Sequence, residues 1–210
     1  MCGRYVITNP VSKTRKIVKT SIKVEDIENY NAHPYQNLPV IKKYTNGSAL
    51  EKLKWGIVPS WSKKKDFKPL INARLETIDE KFSFKKLIIN SRAVIPCSGY
   101  YEWKKTENKK VPYYFTKVDS KDIFLAGIHN QKQFCVITRE AESSNSEIHH
   151  RQPVIIQKSQ INNYFNLNNN AVEFLNNTFP PKLKFFEIST DVNNPAKNDP
   201  SIINPLKQNK

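Results

Sequence analysis

Near its amino terminus the chain reads Met1-Cys2-Gly3-Arg4-Tyr5. Methionine ahead of a residue as small as cysteine is commonly trimmed in cells. Trimming leaves Cys2 with a free α-amine and a thiol on adjacent carbons, a pair of nucleophiles no other side chain offers. The amine titrates at about 7.7–8.0, so an appreciable fraction is neutral near pH 7. The thiol, ordinarily at about 8.5, is expected to fall further beside the ammonium group and Arg4. A 1,2-aminothiol condenses with an aldehyde to an imine, and the sulfur then closes a thiazolidine ring. The plainer reading of Cys2 is an arbitrary, frayed terminal position.

Five other sets of residues carry groups suited to such chemistry. Glu102 lies between aromatics in Gly99-Tyr100-Tyr101-Glu102-Trp103. Desolvation there would raise its pKa and let it move protons near neutrality; a surface-facing strand position is the alternative. His149 and His150 precede Arg151, and a histidine there can act as acid, base or donor, or belong to a surface pair. Asn72 can orient an amine or a carbonyl, or cap a helix. Arg4 and Arg74 can clamp phosphates or merely pair with acids. Trp61, beside Lys63-Lys64-Lys65, can stack a base next to a phosphate-holding run, or fold into the core.

These residues sit on a strand-rich pattern. Gly3–Thr8 reads as a strand that ties the terminus into a sheet. Residues 11–29 carry a weak helical pattern around Ile17, Val18 and Ile22. The Tyr30–Gln36 segment is loop-like, because Pro34 disfavours helix before it. Val40–Tyr44 and Leu50–Val58 form a hairpin around Asn46-Gly47. Ile71–Thr77 runs from extended chain into a short helix, and Phe82–Ile89 suits a short buried helix. Arg92–Pro96, Gly99–Lys104, Val111–Lys117, Ile123–Ile128 and Gln133–Thr138 follow as short strands separated by turn signals. Glu140–Glu147 reads as polar loop and Val154–Ile156 as a strand. Ser159–Leu167 is a helix capped by Ser159, Asn169–Asn176 another, and one strand begins at Lys184. With no repeat and no linker, the expectation is an α+β fold: one strand-rich, mostly antiparallel, barrel-like domain over 1–210 with short flanking helices.

The 210 residues suffice for a sizeable core. They include 34 Lys+Arg against 19 Asp+Glu, a net charge of +15. Such an excess favours polyanions, nucleic acid first, although abundant Lys, Asn and Ile also fit an AT-rich genome. The three cysteines form no CxxC pair, and a His–His pair without nearby cysteines is poor zinc spacing, so no metal is expected. Cys97 and Cys135 read as inert core thiols. An odd cysteine count without a signal peptide points to a reduced, cytoplasmic setting. No apolar run approaches the roughly 20 residues of a membrane span.

As an ordered set, several blocks carry a resemblance. They are Cys2-Gly3-Arg4-Tyr5, Tyr30-Asn31 to Pro34, Trp55-Gly56 with Pro59-Ser60-Trp61, and Ile71-Asn72-Ala73-Arg74-Leu75-Glu76-Thr77. Further along come Pro96–Trp103, Ile148-His149-His150-Arg151-Gln152-Pro153 and Val192-Asn193 to Asn198-Asp199. The chain closely resembles the SRAP family of abasic-site processing proteins, once named SOS-response-associated peptidases, over essentially its whole length. The resemblance implies covalent capture of abasic sites in single-stranded DNA: Schiff base at the Cys2 amine, thiazolidine closure by its sulfur, and a shielded lesion, with some lyase character through the imine. It implies that Asn72 positions the amine and the sugar, that Glu102 moves protons, and that His149 assists ring opening. It places Arg4, Asn31, Pro34, Trp61 and Arg74 along the DNA, and implies no cofactor, a monomer, and a bacterial cytoplasmic protein that joins the nucleoid when on DNA.

His150 stands where an acid is common, Gln152 where Met or Arg is usual, and Ala32-His33 where an apolar pair is usual. Two other readings stay open. One is an N-terminal-nucleophile cysteine peptidase acting on itself; the other is a reversible reader of single-stranded or modified DNA.

Overall fold

The computed structural model describes residues 2–62, 66–119 and 122–206. Its strands are β1 (Tyr5–Thr8), β2 (Thr20–Ile22), β3 (Glu28–Ala32), β4 (Asn37–Tyr44), β5 (Gly47–Trp55), β6 (Asn72–Arg74) and β7 (Arg92–Cys97). They continue with β8 (Gly99–Lys105), β9 (Lys110–Lys117), β10 (Ile123–His129), β11 (Gln133–Glu140), β12 (Arg151–Pro153), β13 (Ile155–Ile156) and β14 (Leu183–Glu187). The helices are short: α1 (Pro10–Thr14), α2 (Lys85–Asn90), α3 (Ile161–Phe165) and α4 (Ala171–Asn176).

The larger sheet runs β12-β11-β10-β7-β4-β5-β2, and β11 also pairs with β5. That extra pairing closes β11, β10, β7, β4 and β5 into a ring, so the expected barrel-like α+β architecture is observed. The pairings are mostly antiparallel; β2–β5, β5–β11 and β6–β11 are parallel. A second sheet, β14-β9-β8-β1-β3, packs beside the ring.

Alternation within the ring strands feeds two cores, as a period of two requires. Val94, Ala126, Ile128, Cys135 and Ile137 join Ile88, Tyr164, Phe165 and Leu175 under the helices. Their neighbours Ala93, Ile95, Leu125, Phe134 and Val136 join Cys2, Tyr5, Tyr100 and Phe115 against the second sheet. Burial on both faces explains why β7 and β10 read as unbroken apolar runs. The outer face of the second sheet, carrying Val6, Tyr101 and Tyr114, is covered by Ile188 and Val192 of the carboxy-terminal segment.

The hairpin at Asn46-Gly47 forms as expected, with Tyr44 opposite Gly47 and a positive φ of 135° at Gly47. Gly99 is required by space instead: a Cβ there would lie 2.4 Å from the Tyr114 hydroxyl and 2.5 Å from the Phe115 carbonyl.

Three local expectations fail. Ile17–Ile22 is not helical: α1 ends at Thr14, and Thr20–Ile22 lies parallel to β5. Its weak periodicity loses to ladder hydrogen bonds with a strand already in place. Tyr30–Ala32 belongs to β3, so the Pro34 loop shrinks to a turn over residues 33–36. Ser159 does not cap α3; the chain enters through a 3₁₀ turn, Lys158–Gln160, where the Gln160 side chain accepts the Gln157 N–H at 2.9 Å. Among the described residues no helix is long and apolar enough to cross a membrane.

Candidate active site

The amino-terminal segment is held rather than frayed. The Arg4 carbonyl accepts the Tyr101 N–H at 3.0 Å, extending the β1–β8 pairing to within two residues of Cys2. Cys2 is fully buried and belongs to the core of Tyr5, Trp55, Tyr100 and Phe134. Its thiol does not fall as expected: burial pushes it up, and the Glu102 carboxyl pushes it the same way.

Asn72 reaches Cys2 from β6. The Trp55 indole N–H donates to the Ile71 carbonyl at 2.9 Å, and the Val136 N–H donates to the same oxygen at 3.1 Å. These bonds seat β6 against β11, with Asn72 opposite Val136. The Asn72 amide then donates to the Cys2 carbonyl at 2.9 Å. Its Oδ1 is buried and has no hydrogen-bond partner among the described residues. A buried acceptor left without a partner costs roughly 1–3 kcal/mol.

Glu102 is only 3% exposed, and burial pushes its carboxyl up to about 7. The desolvation anticipated from its aromatic surroundings is observed, and the position does not face the surface. His149 approaches from a 3₁₀ turn, Ser143–Glu147, with its Nε2 4.0 Å from Glu102 Oε2. The Arg151 N–H donates to His149 Nδ1 at 3.0 Å, the same nitrogen lies 3.2 Å from the Arg151 carbonyl, and Nε2 faces Glu102. Burial lowers the His149 pKa to about 4, so near pH 7 the ring is a neutral donor beside a half-ionised acid. His150 stacks on it with ring centres 4.5 Å apart.

Two supports carry no signal in residue type alone. Arg151, 6% exposed, makes a bidentate pair with Glu76 at 2.7 and 2.9 Å and donates to the Thr138 carbonyl at 2.8 Å. The pair fixes β12 and hence the His149 backbone; only the recurrence of Glu76 and Arg151 in the quoted blocks hinted at it. Gln152, 2% exposed, accepts the Asn145 amide at 2.8 Å and so ties the histidine turn to β12.

The residues expected along DNA are spread more widely. Arg4 donates to Asn31 Oδ1 at 2.6 Å and to the Val192 carbonyl at 2.8 Å. Asn31, 1% exposed, donates to the carbonyls of Asn194 and Lys197 at 3.0 and 2.8 Å. Together they strap the 192–197 segment across β1 and β3, and the Trp103 indole fastens it to Asn193 at 2.8 Å. Pro34 lies in the 33–36 turn, Arg74 is exposed at the end of β6, and Trp61 is 51% exposed with its ring edge-on to Phe67. Lys63–Lys65 lie outside the described residues.

A groove of about 740 Å³ opens over Glu102 and His149, bounded by Trp103, Lys104, Lys105, Lys110 and Asn193. Cys97 and Cys135 are buried free thiols pushed up by burial. Among the described residues no three of His, Cys, Asp and Glu converge as metal ligands.

Residues 1–195 match the family described as SOS response associated peptidase (SRAP). Abasic site processing protein YoqW of Bacillus subtilis (strain 168) is 31% identical over 222 residues, covering 97% of this chain and 99% of that protein. Abasic site processing protein YedK of Escherichia coli (strain K12) is 30% identical over 175 residues, covering 74% and 75%. A solved protein from Bacteroides thetaiotaomicron shares the fold, with a TM-score of 0.77 at 21% identity, over 98% of this chain and 100% of that one. With a family match spanning residues 1–195 and a relative aligned nearly end to end, the chain belongs to the SRAP family.

Proposed function

We propose that this protein processes abasic sites by capturing them covalently in single-stranded DNA, with Cys2 as the reacting residue once Met1 is removed. The observation that carries the reading is a buried Cys2 bonded by Asn72 and felt by Glu102, with His149 in turn facing Glu102. The names of YoqW and YedK agree with it.

An abasic deoxyribose is in equilibrium with its open aldehyde. The Cys2 amine adds to the aldehyde carbon, guided by the open Asn72 Oδ1. The carbinolamine hydroxyl leaves as water after taking a proton from Glu102, and the nitrogen then gives its proton to the Glu102 carboxylate, leaving an imine. The Cys2 sulfur then adds to the imine carbon and its proton passes to nitrogen, closing the thiazolidine. The net change is loss of one water. A thiol pushed up by burial stays protonated until the imine forms, which sets the order: nitrogen first, sulfur second. Neutral His149 offers Nε2–H to the sugar ring oxygen during opening. The closed adduct shields the lesion; hydrolysis of the imine stage gives release, and loss of the proton on the carbon next to the imine with expulsion of the 3′ phosphate gives a route to lyase chemistry. A thiolate peptidase needs the opposite thiol shift, and that observation favours capture.

In this reading residues 1–210 act as one monomeric domain, with Arg4, Asn31, Pro34, Trp61 and Arg74 shaping the path of the strand. The test is a denaturing gel of processed protein mixed with a single-stranded oligonucleotide bearing one abasic site. A stable adduct is expected for the native protein and none for Cys2→Ala; equal adduct in both overturns the reading.

A further inference from the structure

The hairpin between β8 and β9 carries an arrangement that folding alone does not favour. Lys105 lies directly opposite Lys110 in the ladder, and Lys104 precedes it. Like charges directly opposite on neighbouring strands destabilise a hairpin. Among the described residues none of these three lysines has an acidic group within ion-pair distance, although Glu107 is in the same hairpin and Glu147 lines the same groove. Three lysines elsewhere have ion pairs: Lys13 with Asp122 at 3.1 Å, Lys42 with Glu51 at 3.1 Å and Lys117 with Asp119 at 3.5 Å. The turn is nevertheless well made, with the Thr106 N–H donating to the Lys109 carbonyl at 2.9 Å. The charges are therefore held on a formed hairpin rather than dispersed on a frayed one.

Their position gives the arrangement a use. All three lysines bound the groove whose floor holds Glu102 and His149. Lys104 follows Glu102 by two residues on the same strand, so the two share a face about 7 Å apart. Meanwhile the guanidinium of Arg4 and the amide of Asn31 are occupied in holding the 192–197 segment.

We propose that Lys104, Lys105 and Lys110 form a phosphate-binding rail, along which the DNA strand leaves the reacting sugar over the β8–β9 hairpin. The proposal rests on the DNA reading above and adds the surface and direction of the strand. The rail binds phosphodiesters without reading bases and needs no abasic site.

The test uses the full chain and an undamaged single-stranded oligonucleotide, with affinity measured by fluorescence anisotropy from 50 to 200 mM salt. Each lost phosphate contact reduces the salt slope by about 0.7 for a single strand. Removing three contacts reduces it by about 2.1, so across a fourfold salt change the native affinity falls roughly twenty-fold further than the variant's. The rail variant combines Lys104→Gln, Lys105→Gln and Lys110→Gln. A control combines Lys81→Gln, Lys85→Gln and Lys86→Gln at and before α2, removing the same charge from exposed positions outside the groove. A flattened slope in the rail variant alone supports the proposal. An unchanged slope, or equal flattening in both variants, overturns it. Free 2-deoxyribose, which has no phosphate, separates the two readings: its adduct with Cys2 should form equally in native and rail proteins. Failure of that adduct in the native protein counts against covalent capture while leaving the anisotropy result to decide the rail.

Discussion

Replacing Glu102 with glutamine should change how stability depends on pH, by an amount the site geometry sets. Glu102 is 3% exposed, and burial moves its carboxyl from an ordinary 4.5 to about 7. Across that interval the folded chain keeps a proton that the unfolded chain has lost, so stability falls as pH rises. The contribution is fully present below 4.5 and lost by the time pH passes about 7. At about 1.4 kcal/mol per pH unit, the decline amounts to roughly 3 kcal/mol. His129 and His149 act in the opposite sense. Burial holds both near 4, so their unfolded forms take up protons first and stability rises with pH through the window up to 6.5. The two histidines together outweigh Glu102, so the native curve rises with pH on balance, and the informative quantity is the difference between native and Glu102→Gln. The variant should gain about 3 kcal/mol on the native protein between pH 4.5 and 8, which for a chain of this size is roughly 6–12 °C in Tm. Scanning calorimetry at half-unit pH steps measures it. A difference that stays constant from pH 4.5 to 8 would refute the reasoning, since it would mean that Glu102 is ionised as easily in the fold as in water. The same variant should capture abasic DNA at least about 100-fold more slowly at pH 7, because the amide moves no proton.

Other expectations follow from the supports. Arg151→Ala should cost about 3 kcal/mol in urea unfolding, because it empties a buried site and takes away the donor held by the Thr138 carbonyl along with the bidentate link to Glu76. Glu76→Gln should cost less, about 1–2 kcal/mol, since the Glu76 side chain is 41% exposed and partly screened; an Arg151→Ala variant as stable as the native chain would show that the pair does not hold β12. Gly99→Ala should lose about 1–3 kcal/mol by crowding Tyr114 and Phe115, read in the same denaturant series. Asn31→Ala should release the 192–197 segment, seen as faster limited proteolysis there; an unchanged cleavage pattern would assign the strap to Arg4 and Trp103 instead. Cys97→Ala should leave adduct formation unchanged, and a lost adduct would mean the second buried thiol takes part.

Much of the fold is written in short-range patterns. The Asn46-Gly47 hairpin and the apolar runs of β7, β10 and β11 need only turn chemistry and burial to be recognised. Thr20–Ile22 escapes such reading because its strand state comes from a parallel partner about thirty residues away, not from its own periodicity. The closure of β11 onto β5 is likewise a long-range event with no local mark. At the site, the aromatic neighbours of Glu102 foretold its desolvation. The Cys2 thiol shows the limit of the same reasoning: neighbouring charges argue for a lowered pKa, but complete burial decides the sign. Arg4 and Asn31 look like phosphate ligands by type, yet their hydrogen bonds go to carbonyls of residues 192–197, which no local pattern brings close.

The most direct measurement is the intact mass of the mature protein, under denaturing conditions, after exposure to a single-stranded oligonucleotide carrying one abasic site. Capture at Cys2 predicts a gain equal to the oligonucleotide less one water, absent from Cys2→Ala. No gain, or the same gain without the cysteine, would contradict the account.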